Sequence, residues 1–489
     1  MPNDLLAYHA VQNCFADIRK EVASVAARDP LSPVSDFEKF FWLKARQGPT
    51  GVEFLPTAQC RHNHETDFWI CNLVLKGGGT LGLAHVGFTA ALEQAGIRFA
   101  GLAGTSAGSI VALGLAAVRG GDLLKETTPE MVALTSSVPM DWFIDGPGPV
   151  RKLIKHLLQG RSLLLPRCWF WLARAWKRIL TMRGLNPGDS FETWLEGIMR
   201  RYEVASLTQL DARLEEIFQL LEKANADLAA LGLDLRALET VRGTRQDQIR
   251  SLLKLYTSAM PVGLKFELPR QMTLLEHEPQ TLSPARLVRM SMSIPAFFEP
   301  VRMPLKGKVW RDGSESPLVP LQKLVSASEA REYRDLEALN FVDGGMFANL
   351  PSDAFDENLS SLPTLLVPLI GAGKAQRYQR SKRGRVVVQE ALQCVAAMRV
   401  QRDLDAYLQR VGQAQAFNAR HDPLIREGKA IPRSFPLHTC PIDTGEANWL
   451  NFTMGQRDQQ ELFLAGVTAA RDFITDLTAT IRTREGLVA

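Results

Sequence analysis

A serine caught between two apolar runs of different length constrains this chain most: Gly104-Thr105-Ser106-Ala107-Gly108. Before it, Ile97-Arg98-Phe99-Ala100-Gly101-Leu102-Ala103 is short and mostly apolar, which predicts a buried strand. After it, the run from Ser109 to Val118 predicts a buried helix. A strand that turns straight into a helix brings two backbones too close for Cβ atoms, and Gly104 and Gly108 remove them. The turn projects the Ser106 hydroxyl outward at the positive end of the helix dipole, where developing negative charge is favoured. The competing reading is a loop that spells Gly-x-Ser-x-Gly by coincidence, since short motifs carry false positives.

A glycine triplet upstream adds to the first reading. Asn72-Leu73-Val74-Leu75 predicts a strand, and Leu81 to Gly96 predicts a helix closed by Gly96. Between them Gly77, Gly78 and Gly79 leave backbone N–H groups bare at a helix N-terminus, which is an anion site. In acyl transfer such donors hold the oxyanion of the tetrahedral intermediate, each contributing about 3–4 kcal/mol. Gly77-Gly78-Gly79-Thr80-Leu81-Gly82 also satisfies the dinucleotide fingerprint. That fingerprint wants an acidic residue at the end of the second strand, where this chain has Ala103-Gly104-Thr105-Ser106, so nicotinamide and flavin binding are disfavoured. No Gly-Lys-Ser/Thr follows the glycines, which removes a P-loop.

The hydroxyl needs a base. Of eight histidines, only His421 and His438 follow Asp343, and both lie in polar, Pro-flanked stretches without an evident strand end to place them in a Ser–His–Asp triad. His85, on the helix after the glycines, reads as a half-buried packing residue. Asp343 is the better base: Leu339-Asn340-Phe341-Val342 predicts a short strand, and Gly344 and Gly345 let the chain turn sharply behind the aspartate. An unperturbed aspartate titrates near about 3.9, so it needs apolar surroundings to serve as a base. An Asp-Gly turn that caps its own backbone is the plain alternative.

With these residues in view, the chain resembles the patatin-like phospholipases. Leu75-Lys76-Gly77-Gly78-Gly79, Gly104-Thr105-Ser106-Ala107-Gly108-Ser109, Val342-Asp343-Gly344-Gly345, the segment Ser291 to Pro300 and Asn349-Leu350-Pro351 stand in that family's order. The resemblance implies an α/β fold, a three-layer sandwich with a mostly parallel central sheet, carrying here a helical insertion. It implies a Ser106–Asp343 dyad without histidine, a Gly77–Gly79 oxyanion hole, membrane phospholipid as substrate, an acyl-enzyme intermediate, and no metal or cofactor. Lys76 departs from the small or Arg residue usual before the glycines. The resemblance covers about 70–120 and 283–355, with Leu365 to Ile370 and Phe452 to Thr475 as a closing strand and helix.

The implied organisation is an N-terminal extension over 1–69, of regulatory or capping role, and a catalytic domain over 70–489 with helices inserted over 150–260. The insertion has two marked segments. From Ser206 to Leu238, apolar residues recur at alternating threes and fours behind a Ser206/Gln209 capping box, predicting a helix of roughly 50 Å. It either packs on its own domain, pairing with 245–256, or forms a homo-oligomer seam. From Arg161 to Arg183, Trp169, Phe170, Trp171 and Trp176 alternate with basic residues, which suits an anionic membrane surface or an amphipathic helix docked on the sheet.

Composition bounds the rest. A net charge of +4 gives no nucleic-acid signature, and six cysteines scattered over 489 residues without CxxC spacing read as reduced, buried thiols. Cys60, His62 and His64 lack a second ligand cluster for a metal. No long uncharged apolar stretch and no basic, apolar leader at Met1-Pro2-Asn3-Asp4 appear, so a cytoplasmic, peripherally membrane-associated protein is expected. Delivery by a specialised secretion route would leave no such mark.

Overall fold

Two runs of nine residues decide where the sheet forms. Asp67–Leu75 and Ile97–Thr105 carry apolar side chains on both strand faces and are buried along nearly their whole length, as parallel strands covered by helices are. The computed structural model describes residues 5–26, 35–49, 51–57, 62–63, 66–158, 184–230, 244–275, 281–305, 336–355, 362–370, 437–445, 447, 451–452 and 454–485. In chain order the elements are α1 (His9–Ala26), α2 (Asp36–Phe40), β1 (Leu43–Gly48), β2 (Gly51–Pro56), β3 (Asp67–Leu75), α3 (Gly82–Gln94), β4 (Ile97–Thr105) and α4 (Ala107–Arg119). Five helices follow: α5 (Thr128–Ser136), α6 (Gly148–Leu158), α7 (Asp189–Arg201), α8 (Leu207–Ala230) and α9 (Arg245–Arg250). Then come β5 (Leu253–Met260), β6 (Leu264–Leu268), α10 (Pro284–Ser291), β7 (Val301–Pro304), β8 (Ala338–Asp343), β9 (Thr364–Val367), β10 (Leu369–Ile370), β11 (Leu437–Thr439), β12 (Ile442–Asp443) and α11 (Gln456–Glu485).

One mixed sheet of ten strands runs β11-β9-β3-β4-β5-β8-β7 along its spine, with β1, β2 and β6 at its margins and helices around it. The α/β architecture is the expected one; within this sheet parallel pairing joins β11, β9, β3, β4 and β5, and β10 and β12 form a separate parallel pair. Beyond β5 the pairing is antiparallel. One register matters for everything below. Tyr256 of β5 pairs with Thr105, the last residue of β4, and the next residue, Thr257, pairs with Asp343, the last residue of β8. Because β6 occupies the other edge of β5, β4 and β8 meet head-on along a single edge.

The boundary expected at residue 69 falls inside β3. β1 hydrogen-bonds to β3 across Lys44↔Trp69 to Arg46↔Asp67, and α1 lies against α3 and α11, tied by Arg19 to Gln94 at 2.9 Å and by Thr478 to Glu21 at 2.9 Å. Residues before 69 are therefore built into the sheet and its helical cover. The inserted region also ends earlier than the spacing suggested. Residues 253–260 form β5, buried over all but its last residue and parallel to β4, so Tyr256 continues a strand and not a helix.

The long helix is present as α8, with its Ser206/Gln209 cap formed at 3.2 and 3.4 Å. Its seam residues Leu207, Leu210, Leu214, Ile217, Leu221 and Leu228 are all buried inside the chain itself. α9 folds back on it through Arg245 with Glu215 and Glu222, and Arg250 with Asp211 at 2.8 and 2.9 Å. The described part of the apolar seam is thus covered within the chain, and residues 231–238 lie outside the described residues. Among those described, Cys14, Cys71 and Cys440 are free and buried, and His62 stacks on Trp69 with centroids 3.8 Å apart. No helix among them is long and apolar enough to cross a membrane.

Candidate active site

Ser106 sits at φ 50° and ψ −117°, one of three non-glycine residues at positive φ among those described, and α4 begins with the next residue. Strained backbone of this kind persists only where its surroundings dictate it. Here they do: a Cβ on Gly104 would collide with the Gly108 carbonyl, and one on Gly108 with the Leu75 carbonyl. Elbow, helix and β3 touch backbone to backbone. The Ser106 N–H donates to Ser291 Oγ at 2.9 Å, and Ser291 Oγ donates to the Tyr256 carbonyl at 2.6 Å. The Ser106 backbone is therefore held by a residue far down the chain. At the other end of α4, Arg119 is buried and caps the carbonyls of Phe99 and Ala100, and burial lowers its pKa to about 10.

The glycine loop is fixed from three directions. Lys76 N–H donates to Val367 at 3.2 Å, Lys76 Nζ to Leu369 at 3.1 Å, and Gly77 N–H to the Asn349 carbonyl at 3.0 Å. The Gly77 amide therefore already has an acceptor within the chain. Among the described residues no protein acceptor meets the N–H groups of Gly78 and Gly79, nor that of Ala107, which opens α4. A Cβ at Gly77 would lie 3.3 Å from Ser106 Cβ, so the loop borders Ser106 directly. Beneath it His85 is fully buried, not half-buried, with Nε2 at 2.9 Å from the Lys76 carbonyl. A carbonyl only accepts, so Nε2 carries the proton. Burial lowers the pKa of His85 to about 4, and it supports the loop as a neutral ring.

Asp343 ends β8 half-buried. Its N–H donates to the Ser293 carbonyl at 2.8 Å and its Oδ1 accepts from Gly345 N–H at 2.7 Å. The capping role that the plain reading foresaw is real, yet the register on β5 also delivers the aspartate to the end of β4. Gly344 leaves no room for a Cβ between the Tyr256 carbonyl and the Thr105 side chain, and Thr105 Oγ1 donates to Ala348 at 2.7 Å. Asn349 links both loops: its backbone takes the Gly77 amide, and its Oδ1 would lie 3.0 Å from a Cβ at Gly345. His438 is elsewhere. It sits on β11, three strands from β4, with its ring against Phe40 at 5.9 Å and Phe473 at 4.8 Å. His421 lies outside the described residues, as do Trp169, Phe170, Trp171 and Trp176.

A narrow cleft opens over Ser106, Ala107 and the Gly79-Thr80 end of the loop. Its walls are apolar. Phe143 from the turn before α6 joins Phe191 and Trp194 of α7 in an aromatic cluster with centroids 5.1 to 5.9 Å apart, and the segment after α10 supplies Met292, Ile294 and Phe298. Apolar walls with a few convergent polar groups suit a ligand with a long hydrocarbon portion.

That second wall has supports that sequence reasoning missed. Buried Asn186 accepts from Gly146 N–H at 2.9 Å, its N–H and Nδ2 donate to the Phe297 carbonyl at 2.8 and 3.2 Å, and its carbonyl takes Glu299 N–H at 2.8 Å. Buried Arg289 donates to Ser293 Oγ and to the carbonyls of Pro187 and Glu299, and burial lowers its pKa to about 10. Neither residue carries a sequence signal: the partners of Asn186 lie 40 or more residues away, and Arg289 works mainly on backbone carbonyls. Ser291, Ser293 and Asn349 did lie within quoted motifs, though their tasks were not legible there.

The sequence model of the patatin-like phospholipase family matches residues 73–356. An uncharacterized protein of Bacillus subtilis (strain 168), YqhO, is 29% identical over 231 residues, 47% of this chain and 57% of that protein. The chain thus spans little more than half the length of that relative. Among solved structures, VipD from Legionella pneumophila superposes over 90% of this chain and 70% of its own, with a TM-score of 0.33 and 16% identity.

Proposed function

The chain belongs to the patatin-like phospholipase family, whose members act on lipid esters, and from that premise we propose a phospholipid acyl hydrolase working through Ser106 and Asp343. Ser106 Oγ attacks the ester carbonyl carbon while Asp343 accepts the hydroxyl proton. The carbonyl oxygen becomes an oxyanion that the amides of Gly78, Gly79 and Ala107 stabilise at the N-terminus of α4. Collapse of the tetrahedral intermediate breaks the ester C–O bond, the proton on Asp343 passes to the leaving alcohol, and the acyl group remains on Ser106. Water then adds to the acyl carbon, giving its proton to Asp343, and fatty acid departs as Ser106 recovers its hydrogen. These steps call on no metal and no cofactor.

The head-on meeting of β4 and β8 on β5 is the observation that carries this reading, because it brings a nucleophile and a carboxylate from distant parts of the chain to one place. The apolar cleft above Ser106 supports a fatty acyl substrate. The experiment is release of fatty acid from mixed phospholipid vesicles by wild type, Ser106→Ala, Asp343→Asn and His438→Ala. Ser106→Ala and Asp343→Asn should each lose about a thousandfold or more in kcat, with the double variant no worse than either. His438→Ala should keep wild-type activity. Turnover surviving in Asp343→Asn would sink the dyad.

A further inference from the structure

The turn between α5 and α6 holds two consecutive aromatic side chains that go opposite ways. Phe143 is 3% exposed and joins the aromatic wall of the cleft, whereas Trp142 is 70% exposed. Trp142 takes part in no ring or cation contact among the described residues. A single exposed apolar side chain is ordinary, whereas several gathered at one place mark an interaction surface. The surroundings of Trp142 are not random surface. Val138, from the same stretch, lines the cleft and is half-exposed. From a different part of the chain, Ile294 also lines the cleft half-exposed, and Pro295 and Ala296 beside it are exposed. Met454, half-exposed ahead of α11, adds a third element. Three separate pieces of chain thus give the mouth of one cleft an apolar rim.

Charge selects the occupant. α6 starts shortly after Trp142 and turns Val150 and Ile154 inward, at 1% and 4% exposure, while Arg151 and Lys152 are exposed. The turn holds two acids, exposed Asp141 and also Asp145, whose carboxylate takes the N–H groups of Gly188 and Ser190, and α6 itself contains no acid. An exposed indole next in sequence to a cleft-lining phenylalanine, with two exposed basic residues on the helix that follows, matches the headgroup layer of a bilayer: a ring at the boundary of acyl chains and headgroups, and cations for anionic phosphates.

We infer that the rim carrying Trp142, with Arg151 and Lys152 behind it, is the surface by which this protein docks on anionic membranes, placing the cleft mouth against the lipid. This rests on the acyl-hydrolase reading for its purpose, and not for its measurement. Sedimentation of the full chain with vesicles of phosphatidylcholine, with or without phosphatidylglycerol, tests binding. Hydrolysis of a water-soluble short-chain ester tests the cleft by itself.

Trp142→Ala should bind vesicles about tenfold more weakly, as expected for losing one buried indole, and cleave the soluble ester within about twofold of wild type. Trp142→Phe should restore most of the binding. Arg151→Glu with Lys152→Glu should reduce binding several-fold on the phosphatidylglycerol vesicles alone, and the difference should vanish in high salt. Wild-type binding by Trp142→Ala would overturn the inference, and so would failure of wild type to bind either vesicle, which would leave the rim to a protein partner. An equal loss of soluble-ester cleavage in Trp142→Ala would also overturn it, because the residue would then be acting on the cleft. If wild type cleaves neither substrate yet sediments through Trp142, the hydrolase reading falls and the docking surface stands.

Discussion

Ser106 and its glycine loop lie within one uninterrupted β3–α3–β4–α4 unit, whereas Asp343 is supported by pieces drawn from β5, α10 and the turn after β8. In the first region neighbours in space are close neighbours in sequence or in the adjacent strand: Gly104 rests on Gly108, and Gly108 on Leu75. In the second, contacts span long stretches, such as the 185 residues between Ser106 and Ser291. The Ser106 elbow is built by a local motif. Bringing Asp343 to it from an antiparallel strand depends on the whole topology, and here β5 pairs with both strand ends in consecutive positions.

The largest effect expected from breaking the local unit comes at Gly108. A methyl group there must displace the Leu75 backbone in the middle of the sheet, so Gly108→Ala should lower unfolding stability by about 3 kcal/mol or more, or prevent folding. Gly197 is the control: it lies exposed in α7 with nothing near its Cβ position, and Gly197→Ala should stabilise the helix by about 0.5–1 kcal/mol. Urea unfolding of the two variants decides the matter. Equal stability would mean that the elbow is not pressed against β3.

The same contrast governs what the sequence disclosed. The strand before Ser106, the helix after it, the helix closed by Gly96 and the strand ending at Asp343 all follow from short apolar runs bounded by glycine, and all are present. Readings failed where partners decide. Leu252 to Tyr256 fits a helical spacing, yet pairing with β4 makes residues 253–260 a strand. The α8 heptads specify a buried seam without saying what buries it. Gly77 looks as free as Gly78 and Gly79 until Asn349 is seen taking its amide. Asn186 and Arg289 do their work through carbonyl groups, which no residue pattern reveals.

Ser291 crosses between the two regions and so sharpens the comparison. Ser291→Ala leaves the Ser106 N–H and the Tyr256 carbonyl, both buried, without their shared partner. That should cost about 1–3 kcal/mol in stability. A displacement of Ser106 on the scale of 1 Å should also reduce kcat by roughly tenfold to a hundredfold with little change in KM. Ser291→Thr, which keeps the hydroxyl, should recover most of kcat. Loss of stability with kcat intact would show that the local unit holds Ser106 without help from the distant one.

The smallest effect is confined to acid and belongs to the local unit. His85 titrates at about 4 in the fold against 6.5 when unfolded, because burial penalises its charged form. As pH falls below the unfolded value, the unfolded chain takes up a proton that the folded chain refuses, so stability is lost downward through that window and is constant above it. Between about pH 7 and pH 5 the loss from this residue alone is about 2 kcal/mol. His85→Gln keeps a donor for the Lys76 carbonyl but cannot charge, so its stability should fall less over the same interval by that amount. Unfolding curves at the two pH values measure the difference directly. Identical slopes in wild type and His85→Gln would mean that the ring is hydrated and that the glycine loop does not rest on a neutral, buried histidine. A flatter slope together with unchanged kcat at neutral pH would assign His85 to holding the loop and remove it from the proton transfers of the site.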